Sequence, residues 1–214
     1  MKAFSKFVVY GTVVFIISVV CWLITKNDWF FVINLFTIVI LLARCYFYRD
    51  PERYIPDEVD IILAPADGCV TGIHMQKEPV FCQKSVIMIS IFLRLWDVHI
   101  NRMPVDGKIQ FMDYKEGRFH PAFLKKAAEK NEQMMIGIEN REGRFLIRQV
   151  AGMLARRIIC TVKPGNHVKQ GQKFGMIKLG SLVELAIPDT YRITIKKGQR
   201  VKAGETIIGV LESK

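Results

Sequence analysis

A glycine followed by a serine, Gly180-Ser181, sits inside the apolar string FGMIKLGSLVELAIP at 174–188. A serine hydroxyl is one of the few side chains able to attack the carbonyl just before it, and glycine there offers the least steric hindrance. The attack is an N→O acyl shift that turns an amide into an ester. β-Elimination of that ester leaves dehydroalanine, and hydrolysis leaves a pyruvoyl group blocking a new N-terminus. Taken alone, a Gly-Ser pair reads as a turn. Asp67, in the dipeptide Asp67-Gly68, likewise reads as a turn former. His99 stands in apolar surroundings and reads as a core histidine. His74, His120 and His167 lack any metal-ligand spacing to Cys, Asp or Glu, so no metal is expected. Cys21, Cys45, Cys69, Cys82 and Cys160 are scattered without a C-x-x-C pair, which argues against a zinc ribbon or disulfide scaffold and for a reducing compartment.

The elements that must position such residues fall into two textures. Residues 7–24 form an uncharged apolar run, about 27 Å long as a helix. A second apolar run covers 29–43, with only Thr25-Lys26-Asn27-Asp28 between the two. Neither run has a polar face, and no small-x-small cleavage site follows the first, so a soluble hairpin and a signal peptide both fit poorly. Lys2 and Lys6 precede the pair and Arg44, Arg49 and Arg53 follow it. Basic residues at both outer ends predict a membrane-anchoring helical hairpin over 1–45 with both ends cytoplasmic.

From 46 to 214 the chain turns to short apolar stretches broken by turn residues. Strands are predicted at 61–64, 86–93, 146–150, 157–162, 182–187 and 191–195, with turns at Asp67-Gly68 and Asp106-Gly107. One helix is predicted at 121–132, opened by Pro121. An internal echo, G-x-x-V-x-x-G, begins at Gly165 and returns at Gly198. The expected fold is mainly β (α+β): a sandwich-barrel-like domain with few short helices behind the hairpin. The echo resembles biotinyl or lipoyl sandwich barrels, although no D-K-A or M-K-M tripeptide lies between its halves. Lys125, Lys126 and Lys130 read as a solvated helix face, and Arg156-Arg157 as a charge pair that could also meet phosphate.

The string around Gly180-Ser181 resembles the C-terminal signature of phosphatidylserine decarboxylases, closest to their short form. A-P-A-D-G (64–68), D-V-H-I-N-R-M-P-V-D-G (97–107), Y-K-E-G-R-F (114–119), N-E (131–132) and Q-V-A-G-M-L-A-R-R-I (149–158) also resemble blocks of that family, in its order. Leu179 stands where short forms usually have Phe. The resemblance implies a catalytic set of Ser181, His99 and Asp67. Asp67 would orient His99, His99 would deprotonate Ser181, and the chain would cut itself at Gly180-Ser181 into 1–180 and 181–214. Ser181 would become the covalent pyruvoyl cofactor. It would form a Schiff base with phosphatidylserine and yield phosphatidylethanolamine and CO2, with His99 the default proton donor to carbon. The resemblance further implies a heterodimer of the two cleavage products at the inner cell membrane, with the catalytic domain cytoplasmic.

Composition agrees with a lipid partner. The net charge of +11 suits an anionic membrane, worth about 1 kcal/mol per basic residue near the surface. Nucleic acid is not expected, since aromatic-basic interleaving and a helix-turn-helix pattern are both missing. The alternative to an enzyme is a non-enzymatic, membrane-tethered sandwich-barrel adaptor, in which Ser181 is incidental.

Overall fold

The computed structural model describes residues 2–117, 131–152, 158–177 and 181–212. The chain divides into two compact units, residues 1–49 and 50–214. In the first, α1 (Lys2–Thr25) and α2 (Asp28–Phe47) form an antiparallel pair. Asn27 caps α2, its Oδ1 accepting the Trp29 N–H at 3.0 Å, and Asp28 places negative charge in the first turn. A side chain at Gly11 would come within 2.8 Å of Leu41, so glycine lets the helices close. Apolar side chains point outward all round, with Ile24 76% and Phe36 66% exposed. Both helices are long and apolar enough to cross a membrane.

The second unit is mainly β. Its strands are β1 (Ile61–Leu63), β2 (Gly68–Glu78), β3 (Lys84–Leu93), β4 (Ile100–Arg102), β5 (Gly107–Lys115), β6 (Gln133–Asn140) and β7 (Gly143–Val150). They continue as β8 (Ile158–Cys160), β9 (His167–Val168), β10 (Lys173–Ile177), β11 (Ser181–Pro188), β12 (Tyr191–Ile193), β13 (Arg200–Val201) and β14 (Ile207–Leu211). An eight-stranded antiparallel sheet runs β13-β2-β3-β11-β7-β6-β5-β9, and two three-stranded sheets run β1-β14-β12 and β4-β10-β8. One core lies between the layers, joining Val183, Leu185 and Ile147 of the large sheet to Ile62, Ile208, Phe174 and Ile177 of the small ones. Alternation explains this: along β11 the odd-numbered residues from Ser181 to Ile187 face the core.

The large sheet reads the same from both edges, and the register supports a duplication. Each short strand β13 and β9 pairs with the start of a long hairpin, Val201 opposite Gly68 and Val168 opposite Gly107. Each proline carbonyl reaches across to the other copy, Pro65 accepting from Arg102 N–H and Pro104 from Leu63 N–H, both at 3.0 Å. The echoed glycines share a backbone shape: Gly165 and Gly198 have φ of 87° and 89°, Gly171 and Gly204 have φ of 75° and 74°. One half is therefore β1–β3 with β11–β14, and the other, β4–β10, is inserted within it.

The six predicted strands are present, lengthened or trimmed at their ends, and eight further strands join them. Those eight escaped a reading based on apolar runs because most are short or carry polar residues on a half-exposed face, as β2 and β5 do. Asp67-Gly68 and Asp106-Gly107 stand at the entries to β2 and β5. The predicted helix at 121–132 lies outside the described residues except for Asn131 and Glu132, which lead into β6.

Candidate active site

The two halves differ most at one hairpin end. In the inserted half, β6 and β7 are closed by the two residues Arg141 and Glu142, with Asn140 opposite Gly143. In the outer half the equivalent pair is Leu93 opposite Ser181, and residues 94–180 intervene between them. Ser181 thus heads a central strand, hydrogen-bonded through β11 to β3 on one side and β7 on the other. It is 0% exposed, and its Oγ has no hydrogen-bond partner among the described residues. A buried hydroxyl left unmatched costs about 1–3 kcal/mol, so this position is notable among the described residues.

His99 lies on the facing layer. Its carbonyl accepts the Ile177 N–H at 3.4 Å, so it continues the β4–β10 ladder by one rung. The whole segment is buried save the half-buried Ile100, and His99, Asn101 and Met103, spaced by two along the strand, are each 0% exposed. Ile177, whose N–H meets the His99 carbonyl, and Ser181, at the head of β11, are separated in sequence by only three residues. The His99 ring is oriented by its own loop, Nδ1 standing 2.7 Å from the Asp97 carbonyl oxygen. A carbonyl only accepts, so Nδ1 carries the hydrogen and Nε2 is the basic nitrogen of the neutral ring. Asp97 is itself braced: its carboxylate accepts the Arg94 N–H at 2.8 Å and pairs with Arg200.

Asp67 stands at the entry to β2. Its carboxylate accepts from Arg53 at 2.8 and 3.0 Å and from the Ala203 N–H at 2.8 Å. The ion pair is part-buried, the side chains 5% and 14% exposed, and Glu205 lies 3.8 Å from the same guanidinium. The segment holding Asp67 reaches the histidine strand through the Pro65 carbonyl. That oxygen accepts from Arg102 N–H and, at 3.3 Å, from Asn101 Nδ2. Arg102 is buried as well, donating to the Gly171 carbonyl at 3.0 Å. Burial lowers its pKa, while Asp50 beside it acts in the opposite direction. Gly180 lies outside the described residues.

Three residues of this neighbourhood escaped the sequence reading. Asn101 and Gln149 form a buried pair between the layers, Gln149 Nε2 donating to Asn101 Oδ1 at 2.7 Å. A signal for both existed: Asn101 repeats the inward position of His99 two residues on, and Gln149 breaks the inward apolar series Phe145, Ile147, Ala151. Arg53 gave no comparable signal, because the partner that holds it is distant in sequence.

A buried serine at the head of a central strand and a buried histidine on the other layer outline a candidate enzyme centre on a β sandwich, and comparison with known proteins names the class. The family model of phosphatidylserine decarboxylase matches residues 40–209. The chain is 42% identical over 184 residues to the phosphatidylserine decarboxylase proenzyme of Carboxydothermus hydrogenoformans, covering 86% of this chain and 85% of that one. It is 45% identical over 177 residues to the proenzyme of that name from Chlorobium limicola, covering 81% and 82%. A third, from Ehrlichia chaffeensis, is 41% identical over 182 residues, covering 84% and 80%. The chain is a decarboxylase. It belongs to the phosphatidylserine decarboxylase family.

Proposed function

We propose that this enzyme converts phosphatidylserine to phosphatidylethanolamine and CO2, using a pyruvoyl group made from Ser181 by self-cleavage after Gly180. The observation that carries the reading is Ser181 itself: a fully buried hydroxyl with no partner among the described residues, at the opened end of a hairpin whose twin is closed. The residues fit the group, because a serine at this strand head has its C-terminal side locked in the sheet and its own hydroxyl and amide at the strand's first position. When formed, the pyruvoyl group supplies a ketone for the substrate amine and a sink for the electron pair released with CO2.

His99 Nε2 takes the Ser181 hydroxyl proton, and the Asp97 carbonyl on Nδ1 keeps the ring in the tautomer that can do so. Nε2 later returns a proton to the carbon that lost CO2. Asp67 supports this strand at a distance, by fixing the A-P-A-D-G segment whose Pro65 carbonyl holds Asn101 and Arg102. After the cut, β11 keeps neighbours on both edges, so residues 181–214 stay bound to 1–180 as a heterodimer. The helical pair anchors the chain in the inner membrane with residues 50–214 cytoplasmic, and the +11 charge favours anionic lipid. Deleting residues 1–43 leaves self-cleavage intact and weakens action on lipid vesicles, because local concentration at the surface is lost.

The test is the intact mass of the purified protein, followed by assay on phosphatidylserine vesicles. Two chains, the smaller beginning at former Ser181 with a ketone in place of its amine, are expected. A single uncut chain with a free serine would overturn the reading.

A further inference from the structure

Gln149 carries a further unmatched polar atom among the described residues. Its side chain is 0% exposed, and Oε1 has no hydrogen-bond partner among the described residues. The orientation of this amide is fixed by a relay. The Pro65 carbonyl can only accept, so Asn101 must present Nδ2 to it and Oδ1 to Gln149. Gln149 must then donate Nε2, which leaves Oε1 as a committed acceptor with nothing to accept.

Register places that acceptor beside Ser181. Gln149 is opposite Val183, one inward-facing rung from Ser181 on the neighbouring strand β11. On the facing layer, Asn101 is likewise one inward-facing rung from His99. The Asn101–Gln149 pair is thus the rung adjoining the His99–Ser181 end. The duplicated half is apolar at both equivalent positions, Ile62 and Ile187, each 0% exposed. The fold itself therefore does not require an amide pair here.

We propose that Gln149 Oε1 is the acceptor for the substrate's amine nitrogen. Resting on the pyruvoyl reading, the assignment is that Gln149 takes an N–H hydrogen bond as the amine joins the carbonyl carbon of former Ser181 and water leaves. An N–H on nitrogen that carries positive charge makes the stronger kind of hydrogen bond, and burial of Gln149 strengthens it further. Gln149 has no such task in the precursor, because the Ser181 proton goes to His99.

The experiment uses full-length protein carrying Gln149→Met, and separately the double change Asn101→Ile with Gln149→Ile, which copies the pairing of the other half. Each is followed by intact mass for self-cleavage and by cyanoborohydride trapping of phosphatidylserine on the 181–214 fragment. Gln149→Met is expected to cut itself as the wild type does and the double variant more slowly, since Asn101 no longer holds Pro65. In the cut protein of each, trapping falls about tenfold or more, the loss expected for a hydrogen bond from a charged donor. Cleaved variants that trap phosphatidylserine like the wild type would overturn the proposal. Folded variants that remain uncut would also overturn it, by moving Gln149 to the serine step. Failure of the pyruvoyl reading looks different: the wild type itself would yield no fragment and no adduct.

Discussion

The two halves of the β unit share a plan and differ where chemistry is expected. Asp67 and Asp106 enter their hairpins in the same way, each carboxylate accepting one N–H from the echoed loop, Ala203 for one and Gln170 for the other. His99 has Asp60 as its counterpart: each offers its carbonyl to the end of an edge strand, Ile177 N–H in one half and Leu211 N–H in the other. Beyond those backbone roles the copies part. Asp60 sits at the closed hairpin end, where its side chain meets the 79% exposed Arg141 in a solvated pair. His99 sits at the opened end, sealed from solvent and facing the layer that bears Ser181. Shared features report what the fold needs, and unshared ones report what was added: Ser181 against Gly143, Asn101 and Gln149 against Ile62 and Ile187, and Arg53 on Asp67.

The largest effects should therefore come from unshared residues. Ser181→Ala is expected to abolish chain cleavage, since alanine has no hydroxyl to attack Gly180. Gly143→Ala, at the equivalent position, is expected to leave cleavage complete while costing some stability, given its φ of 136° and Pro188 Cγ 3.2 Å from the added Cβ. His99→Ala is expected to slow cleavage by about a hundredfold or more, the range for loss of a positioned general base. Asp60→Ala is expected to change the rate less than twofold. Band intensities on a denaturing gel over time read all four, and rapid cleavage in His99→Ala would mean that another base serves Ser181.

Much of this comparison was legible in the sequence, but unevenly. The echo of Gly165 through Gly171 at Gly198 through Gly204 is visible by eye, because only residues tolerating positive φ serve those loops. The second echo, A-P-A-D-G at 64–68 against M-P-V-D-G at 103–107, is equally printed in the chain but is too short to stand out without its partner strands. The insertion of one half into the other could not be read, since it depends on which strands pair: Leu93 with Ser181 is a contact across 88 positions of chain. The sequence offered Ser181 through its chemistry joined to a family resemblance, and His99 and Asp67 through that resemblance. The Arg53–Asp67 pair was missed because such ion pairs depend on packing, which local pattern does not encode.

That pair separates the two aspartates energetically. Asp67→Ala and Asp106→Ala each remove an acceptor from one loop N–H, worth about 1 kcal/mol. Asp67→Ala additionally removes both short bonds to the Arg53 guanidinium and leaves it Glu205 at 3.8 Å, a further cost of about 1.5–3 kcal/mol for lost charged hydrogen bonds. Thermal unfolding in detergent, measured in the uncut Ser181→Ala background so that chain number is constant, is expected to show a clearly larger loss for Asp67→Ala. Replacing Arg53 by Met together with Asp67→Ala should recover part of it, since no charge is then left buried. Equal losses for the two single aspartate variants would remove the distinction drawn between them.

The smallest effect tests the symmetry itself. Gly165 and Gly198 have φ of 87° and 89°, and a Cβ added at either meets nothing within 4 Å. Alanine at each position therefore pays only for a left-handed backbone, about 1–2 kcal/mol, with no clash to distinguish them. Their N–H groups also make matching bonds, Gly165 to Ile109 O at 2.8 Å and Gly198 to Val70 O at 2.7 Å. In the same uncut background, Gly165→Ala and Gly198→Ala are each expected to lower the melting temperature by a few degrees, about 2–4 °C per kcal/mol for a unit of this size. The two shifts should agree within about 1 °C, near the limit at which such losses can be told apart. A difference well beyond that would mean that equal backbone shape does not carry equal energy in the two copies, and that the insertion of one half into the other has unbalanced the loops as well as opened the hairpin.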